Sequence, residues 1–115
     1  GNALACRAAL AVLDIFREDG VLAANRAKAA RWTTLAAPLA AHPKVRHFRQ
    51  CGMIWAFEVE TDRADFARWC FAAGLAREIL LRPIGRTVYF MPPYVVTDDE
   101  FALLAARTAE ILDAV

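Results

Sequence analysis

The sequence lacks two features: an excess of charge of one sign, which is typical of nucleic-acid-binding proteins, and a long apolar run, which is typical of membrane-spanning proteins. Its 14 Lys and Arg against 13 Asp and Glu give a net charge of +1, and no run of like charge occurs. This balance disfavours a nucleic-acid partner. No uninterrupted apolar stretch approaches the roughly 18 residues typical of a membrane span. We therefore predict a soluble chain with no membrane and no nucleic acid among its partners.

Cysteine and histidine are also scarce and poorly placed for a metal site or a disulfide framework. The three cysteines, Cys6, Cys51 and Cys70, are odd in number and widely spaced, with no C-x-x-C pair. This pattern favours a reducing, cytoplasmic setting. Neither Cys51 nor Cys70 has an evident histidine partner, so both are predicted to be small buried residues. His42 and His47 lack a nearby acidic third ligand, and no metal site is predicted.

The motifs of several common catalytic sites are absent. There is no Gly-rich phosphate loop, no G-x-S-x-G elbow and no paired-carboxylate motif. The only lysines, Lys28 and Lys44, lie in polar local sequence and are predicted at the surface rather than as covalent nucleophiles. No catalytic residue is therefore predicted. The chain does not begin with Met, and "GNALACRAALAV" is already helical in pattern, so we expect a piece of a longer chain.

What is present indicates one α+β domain. The 115 residues, 58% of them hydrophobic, are enough for a single core. Apolar spacing predicts helices over 2–17, 21–41 with a break at Pro38, 61–74 with Thr61 or Asp62 at the N-cap, and from Thr97 onward, where Thr97 and Glu100 form a capping box. Strands are predicted over 45–51, 53–59, 78–81 and 87–91, with Gly52 at a turn or bulge between the first two and with Val45 and His47 alternating with Arg46 and Phe48. A small, mainly antiparallel sheet covered by helices on one face accounts for this order.

Arg82 is the sharpest candidate for function. It lies in "LRPIGRTVYFMPPY" and precedes a predicted turn. If residues 83–85 form a three-residue hairpin loop, Arg82 and Arg86 face each other, and such like charges are more comfortable beside an anion. A guanidinium matches a carboxylate with two parallel hydrogen bonds. The alternative is a solvated arginine at a hairpin end, and the residues alone leave both interpretations open.

Two tyrosines and two prolines accompany this arginine. Tyr89 and Tyr94 carry hydroxyl groups that could orient a ligand, although a strand tyrosine is more often an amphipathic core residue. Pro92 and Pro93 cannot donate to a strand ladder and are predicted to end the strand.

The stretch "LLRPIGRTVYFMPPYVVT" resembles the C-terminal region of the adenosylmethionine-8-amino-7-oxononanoate aminotransferases, class III pyridoxal-phosphate-dependent enzymes of biotin synthesis. "GNALAC" and "VRHFRQCGMIWAFEVE" resemble two further segments of that family, and the resemblance covers all 115 residues in order. Two departures are mild. Ala3 replaces a usual proline, and Ile84 stands where an aromatic residue is common.

The resemblance implies a fold like the C-terminal domain of fold-type I pyridoxal-phosphate-dependent transferases. Residues 1–20 would be a helix leading from a large cofactor domain, and residues 21–115 would be the small α+β domain. The full-length enzyme would be a cytoplasmic homodimer that binds pyridoxal 5'-phosphate. The cofactor lysine would lie upstream, so this part alone would bind no cofactor and would be inactive.

The resemblance also implies a reaction and two site residues. The family transfers the amino group of S-adenosylmethionine to 8-amino-7-oxononanoate and forms 7,8-diaminononanoate. Its substrate-carboxylate arginine matches Arg82, and a pocket tyrosine matches Tyr89. Two alternatives remain: another class III aminotransferase, acting on an ω-amino acid or diamine, or a non-catalytic α+β ligand-binding or dimerisation module.

Overall fold

The computed structural model describes residues 1–115. Five helices and three strands follow one another along the chain: α1 (Ala3–Glu18), α2 (Val21–Leu35), α3 (Ala37–Ala40), β1 (Val45–Cys51), β2 (Ile54–Val59), α4 (Phe66–Leu75), β3 (Thr87–Phe90) and α5 (Asp98–Asp113). None of the helices combines the length and apolar character that a membrane crossing requires.

The three strands form an antiparallel sheet in the order β1-β2-β3, which confirms the predicted α+β class. Trp55 pairs with Phe90, and Phe57 pairs with Val88. These four side chains are buried, whereas their neighbours along the strands are more exposed. The alternation shows that one face of the sheet carries the core.

An aromatic cluster fills the space between this face and the helices. Trp32 of α2 stacks on Phe101 of α5, with ring centroids 4.3 Å apart. Trp55 and Phe90 approach the same ring at 5.0 and 5.9 Å. The Trp32 indole N–H donates to Asp98 Oδ1 at 2.6 Å, so the polar atom of this buried ring is satisfied. The cluster joins α2, α5 and the sheet into one core.

Local signals placed most helix ends correctly. The predicted break at Pro38 is confirmed, because α2 ends at Leu35 and Pro38 lies in the first turn of α3. The predicted capping box is also confirmed: Thr97 Oγ1 accepts from the Glu100 N–H, and the Glu100 carboxylate accepts from the Thr97 N–H. Such caps satisfy backbone donors that have no partner within the helix.

Helix α4 starts later than predicted. It begins at Phe66 with Asp65 at the N-cap, not at Thr61 or Asp62. The Thr61 hydroxyl accepts a hydrogen bond from the Arg63 N–H at 3.1 Å, so this segment forms a local turn before the helix starts. A Ser or Thr side chain that bonds its own neighbouring backbone competes with helix formation.

The predicted strand over 78–81 is wrong. The Ile79 N–H donates to the carbonyl oxygen of Gly74 at 3.0 Å, which folds the chain back over the end of α4. A Cβ on Gly74 would lie 3.0 Å from the Ile79 carbonyl oxygen, so glycine permits this close approach. Residues 78–81 are not in a strand ladder, and only Ile84 and Thr87 form an isolated bridge beyond them. They still alternate between buried and exposed, as the residues of a strand do, but they have no partner strand.

Strand β1 contains a bulge that the sequence did not predict. The register with β2 shifts between Arg46 and Arg49, and His47 has a φ of 52°. As a result Phe48, and not His47, packs against the core, although simple alternation grouped His47 with Val45. Beyond the bulge, Cys51 is exposed, so its predicted burial is also wrong.

Candidate functional site

The structure brings Arg82 and Tyr89, the two predicted substrate-binding residues, to one cavity of about 420 Å³. The remaining wall is apolar and comes from the segment before β3, from β3 itself, from the segment that follows it and from α5: Leu80, Phe90, Met91, Pro92, Pro93 and Leu104. The cavity therefore combines a permanent positive charge and a phenol with an apolar surface. A few polar groups in an apolar concavity are typical of small-molecule sites.

Burial of alternate residues directs Arg82 toward the cavity. Ile79 and Leu81 lie in the core, and Leu81 is only 1% exposed. In an extended segment the residues between them point the other way. Leu80 and Arg82 are accordingly exposed, and both line the cavity. Pro83 follows at once and restricts the backbone of Arg82 to extended conformations.

The end of β3 supplies the opposite wall. The strand stops at Phe90, one residue earlier than predicted, and Pro92 and Pro93 follow. Prolines lack the N–H that a ladder requires, so the chain leaves the sheet at this point. Tyr89 is half-buried between two fully buried neighbours of the strand.

The guanidinium of Arg82 forms no hydrogen bond or ion pair within the chain. Arg31 differs, because its Nε lies 3.0 Å from the Asp98 carboxylate. Lack of a partner does not distinguish Arg82, because Arg26 and Arg68 are also exposed and unpaired, and each lines a concavity of its own. What distinguishes Arg82 is that its cavity also contains Tyr89, the second predicted residue. The five N–H donors of Arg82 remain available to an anion, and their planar fork matches a carboxylate.

A second concavity, of about 550 Å³, lies on the other side of Arg82. Its wall includes Leu80 and Arg82 again, together with Ala67, Phe71 and Pro83. Leu80 and Arg82 thus form the ridge between two concave surfaces. A ligand held at the guanidinium has apolar surface on either side of it.

The predicted pairing of Arg82 with Arg86 is wrong. Ile84 and Thr87 exchange two backbone hydrogen bonds of 2.9 and 3.0 Å, so the loop consists of Gly85 and Arg86 rather than residues 83–85. Gly85 has a φ of 59°, in the left-handed region that glycine tolerates. Arg86 therefore lies in the loop and lines a separate concavity of about 650 Å³ beside the start of α4. Because the two arginines do not face each other, repulsion between them is no longer a reason to expect an anion between them.

The cysteines and histidines show no arrangement for nucleophilic or metal chemistry. All three thiols are free, and burial raises the pKa of Cys70 to about 11, so this thiol stays protonated at neutral pH. His42 Nε2 lies 3.1 Å from Asp113 Oδ1, and its Nδ1 accepts from the Lys44 N–H. No group of three or more His, Cys, Asp or Glu side chains is placed to hold a metal ion.

The lysines have structural contacts that the sequence did not suggest. Lys28 is half-buried, and its Nζ donates to the carbonyl oxygens of Tyr94 at 2.6 Å and Val96 at 3.0 Å. The Lys44 ammonium donates to the carbonyl oxygen of Val115. The sequence offers one sign that Lys28 is engaged: it lies one turn before Trp32 in the helix. Its ammonium lies over the Trp32 ring, 5.3 Å from the ring centroid. Both amines therefore donate to backbone carbonyl oxygens.

Comparison with known families places almost the whole chain in one of them. Residues 1–112 match the family described as Aminotransferase class-III. The adenosylmethionine-8-amino-7-oxononanoate aminotransferase of Helicobacter pylori is 40% identical over 120 residues, a match that covers 98% of this chain and 27% of that protein. The diaminobutyrate–2-oxoglutarate transaminase of Halomonas elongata is 34% identical over 130 residues, covering 100% of this chain and 27% of that protein.

Solved structures of aminotransferases contain a part with the same fold as this chain. The crystal structure of adenosylmethionine-8-amino-7-oxononanoate aminotransferase from Methanocaldococcus jannaschii superposes with a TM-score of 0.87 at 24% identity, covering 98% of this chain and 28% of that one. At this identity the likeness shows the fold alone. The chain spans about a quarter of the length of the proteins it matches.

Proposed function

Because the chain belongs to the class-III aminotransferase family, we propose that it is the C-terminal part of a pyridoxal-phosphate-dependent aminotransferase and supplies its substrate-carboxylate site. Arg82 and Tyr89 bind the substrate in this proposal. The observation that carries it is their position in one cavity, where the Arg82 guanidinium has no acidic partner.

The proposed reaction moves the amino group of S-adenosylmethionine to 8-amino-7-oxononanoate and yields 7,8-diaminononanoate. Support comes from the H. pylori relative, whose name states this activity, and from the residues "LRPIGRTVYFMPPY". Both substrates carry a carboxylate, and the second also has a long aliphatic chain. The apolar wall formed by Leu80, Met91 and the two prolines suits such a chain.

The role of Arg82 in this reaction is to orient rather than to transfer protons. A bidentate hydrogen bond fixes the direction of the carboxylate as well as its distance. Holding a substrate in one orientation turns an encounter into an effectively unimolecular step. In this proposal the same arginine serves each half-reaction in turn and anchors the carboxylate of each substrate. Tyr89 forms part of the wall beside the bound chain.

Pyridoxal 5'-phosphate supplies the electron sink for amino transfer, and we propose that residues outside this chain hold it. Support comes from the two lysines, whose amines both donate to backbone carbonyl oxygens. Residues 1–20 would lead from the cofactor domain, and residues 21–115 would form the small domain. The exposed apolar residues of α1 fit a helix that is covered by other parts of a longer protein. We propose a homodimer in the cytoplasm, where three free thiols are expected to persist.

Replacement of Arg82 in the full-length enzyme tests this function. Arg82→Ala should raise the apparent KM for both substrates by the equivalent of about 2–5 kcal/mol of binding, as for loss of one partner of a desolvated charge pair. Arg82→Lys should recover part of this, because an ammonium keeps the charge but not the planar fork. Cofactor absorbance should be retained in both variants.

Arg86→Ala is the matched control, since Arg86 lines a different concavity. It should leave both KM values close to those of the unmodified enzyme. Unchanged kinetics for Arg82→Ala, or equal effects of the two alanine variants, would remove Arg82 from the site.

A second candidate is another class III aminotransferase, which acts on an ω-amino acid or a diamine. The H. elongata relative favours it, because its name specifies diaminobutyrate and 2-oxoglutarate and its identity of 34% is not far below 40%. A panel of amino donors and acceptors with the full-length enzyme separates the two. Turnover of diaminobutyrate with 2-oxoglutarate, and none of S-adenosylmethionine, would select the second. The family match argues against a non-catalytic module.

A further inference from the structure

The segment between β3 and α5 forms one wall of the Arg82 cavity but has few backbone bonds of its own. Pro92 and Pro93 have no N–H to donate. Val96 closes a turn by donating its N–H to the Pro93 carbonyl oxygen at 3.2 Å. No strand ladder holds this wall after Phe90. Its position must therefore be fixed by contacts with other elements.

Lys28 supplies such a contact from α2. Its ammonium donates to the carbonyl oxygens of Tyr94 and Val96, which are two residues apart on the same segment. The two acceptors converge on one nitrogen, a geometry that suits a compact ammonium with three donors. Hydrogen bonds from a charged donor are shorter and stronger than neutral ones. The ammonium also lies over the Trp32 ring, which is fully buried and fixes the direction of approach.

The next turn of α2 holds the first residue of α5, directly after the same segment. Arg31 Nε donates to one Asp98 carboxylate oxygen at 3.0 Å, and Trp32 Nε1 donates to the other at 2.6 Å. Lys28, Arg31 and Trp32 are spaced by three and four residues, so they share one face of the helix. This face therefore contacts Tyr94 and Val96 within the segment and Asp98, the first residue of α5, directly after it. Lys28 is the contact nearest in sequence to the two prolines.

We propose that Lys28 is a positioning residue for the substrate cavity: by binding the Tyr94 and Val96 carbonyl oxygens, it fixes the Pro92–Pro93 wall opposite Arg82. This inference rests on the proposed function. Lys28 does not line the cavity, so it acts through the segment. Without the ammonium, the two carbonyls lose their partner, and the prolines are held less firmly at their distance from the guanidinium, because only the Asp98 contacts and the packing of Tyr94 and Val96 remain. A substrate held by Arg82 then packs against a wall of variable position.

Kinetics and hydrogen exchange of the full-length enzyme test this. Lys28→Met keeps most of the side-chain length and removes the donors. We expect faster exchange of the Val96 and Thr97 amides and a rise of roughly tenfold in KM for 8-amino-7-oxononanoate, below the hundredfold that a 1 Å misplacement of reacting groups can cause. The kcat should change by less than about twofold, because the wall contacts the substrate equally in the ground and transition states. Lys28→Arg should restore part of the KM.

Arg26→Met is the matched control, an exposed cation on the same helix with no hydrogen bond to the segment. It should change neither the exchange rates nor KM. If Lys28→Met does not fold, Lys28→Gln, which keeps a shorter donor, replaces it. A lower unfolding temperature with unchanged KM would show a purely structural role and would overturn the proposal, as would unchanged amide exchange.

Arg82→Ala in the same assays separates the two failures. If Arg82→Ala raises KM and Lys28→Met does not, only the role of Lys28 is wrong. If Arg82→Ala leaves KM unchanged, the proposed carboxylate site is wrong and the role of Lys28 fails with it.

Discussion

Helices α1 and α5 have the same length of 16 residues but opposite environments. Helix α5 buries Phe101, Ala105, Thr108, Ile111 and Leu112, whereas α1 buries no residue. Both have side-chain caps, from Thr97 in α5 and Asn2 in α1. Local sequence therefore determines both helices equally well, and only packing distinguishes them.

The difference shows what apolar periodicity does and does not predict. In α1 the apolar residues recur at helical spacing, yet Leu4 is 84% exposed and Leu13 is 59% exposed. This helix packs mainly beside α2, with one further contact between Phe16 and Tyr94, while α5 contacts α2, α3 and α4. A periodic pattern predicts that a helix has an apolar face. It does not say whether the partner for that face lies in the same segment of chain.

The largest expected effect comes from the aromatic centre of α5. Phe101→Ala should lower the free energy of unfolding by about 3–5 kcal/mol, because it leaves a cavity among three other aromatic rings. Urea unfolding measures this. Leu103→Ala on the same helix is the control, since Leu103 is half-exposed and should cost far less. Similar losses for both would mean that α5 is not packed as described.

Removal of equivalent caps sharpens the comparison. Thr97→Ala should lower the free energy of unfolding by about 1 kcal/mol, because it breaks the capping box of a packed helix. Asn2→Ala removes hydrogen bonds to the Leu4 and Ala5 amides. It should increase hydrogen exchange at those amides with little change in global unfolding. A global loss equal to that of Thr97→Ala would contradict the separation of the two helices.

Acid should weaken α5 more than α1. Hydrogen bonds from Arg31 and Trp32 lower the pKa of Asp98 from its usual 3.8, and those from Thr97 lower the pKa of Glu100 from 4.5. A lowered folded-state pKa means that the unfolded state binds protons first as pH falls. The stabilisation is present above the ordinary values and is lost as pH falls through the lowered ones.

This acid effect should be small because both carboxylates are exposed and screened. Urea unfolding between pH 7 and about pH 3 measures it. The Asp98→Asn, Glu100→Gln double variant should show a shallower loss of stability in acid. Helix α1 has no acidic residue in its first turn, so its amide exchange should lack this dependence. An unchanged acid slope in the double variant would contradict the prediction.

The smallest expected effect is that of Leu13→Ala in α1. Leu13 is exposed in the 115-residue chain, so the free energy of unfolding should change by no more than about 0.5 kcal/mol. In the longer enzyme proposed above, the same change should be more destabilising, because other parts of that protein would cover this face. Comparing the two proteins by urea unfolding checks this. A loss as large as that for Phe101→Ala in the short chain would show that α1 belongs to its core.

The sequence predicted features that depend on a few neighbouring residues. Pro38 breaks a helix because it lacks an N–H, and Thr97 and Glu100 cap one because they are three apart. The turn at Gly52 between β1 and β2 was also predicted correctly, because glycine tolerates the left-handed backbone that the turn requires. In each case the physical cause lies within one turn of chain.

Features that depend on distant partners were missed. Residues 78–81 alternate like a strand, but pairing requires a neighbouring strand that the pattern cannot supply. The predicted Arg82–Arg86 pairing was wrong because the loop has two residues instead of three, and a change of one residue in loop length shifts which residues face each other. The acceptors of Lys28 lie 66 and 68 residues away, so its local polar sequence gave no sign of them. The assignment of substrate binding to Arg82 and Tyr89 came from a family resemblance, which records such distant relationships indirectly, and it stays a prediction.

The burial of Cys70 divides the three cysteines into two kinds of chemical reporter. Alkylating reagents attack the thiolate, and Cys70 is both inaccessible and kept protonated by its raised pKa. Cys6 on α1 and Cys51 at the end of β1 are exposed and free to react. Under native conditions two alkyl groups should therefore add quickly. The rate at which a third alkyl group adds then measures how often α4, which carries Cys70, opens away from the core. Measurement of intact mass over time therefore reports the motion of the helix that precedes Arg82 in the chain.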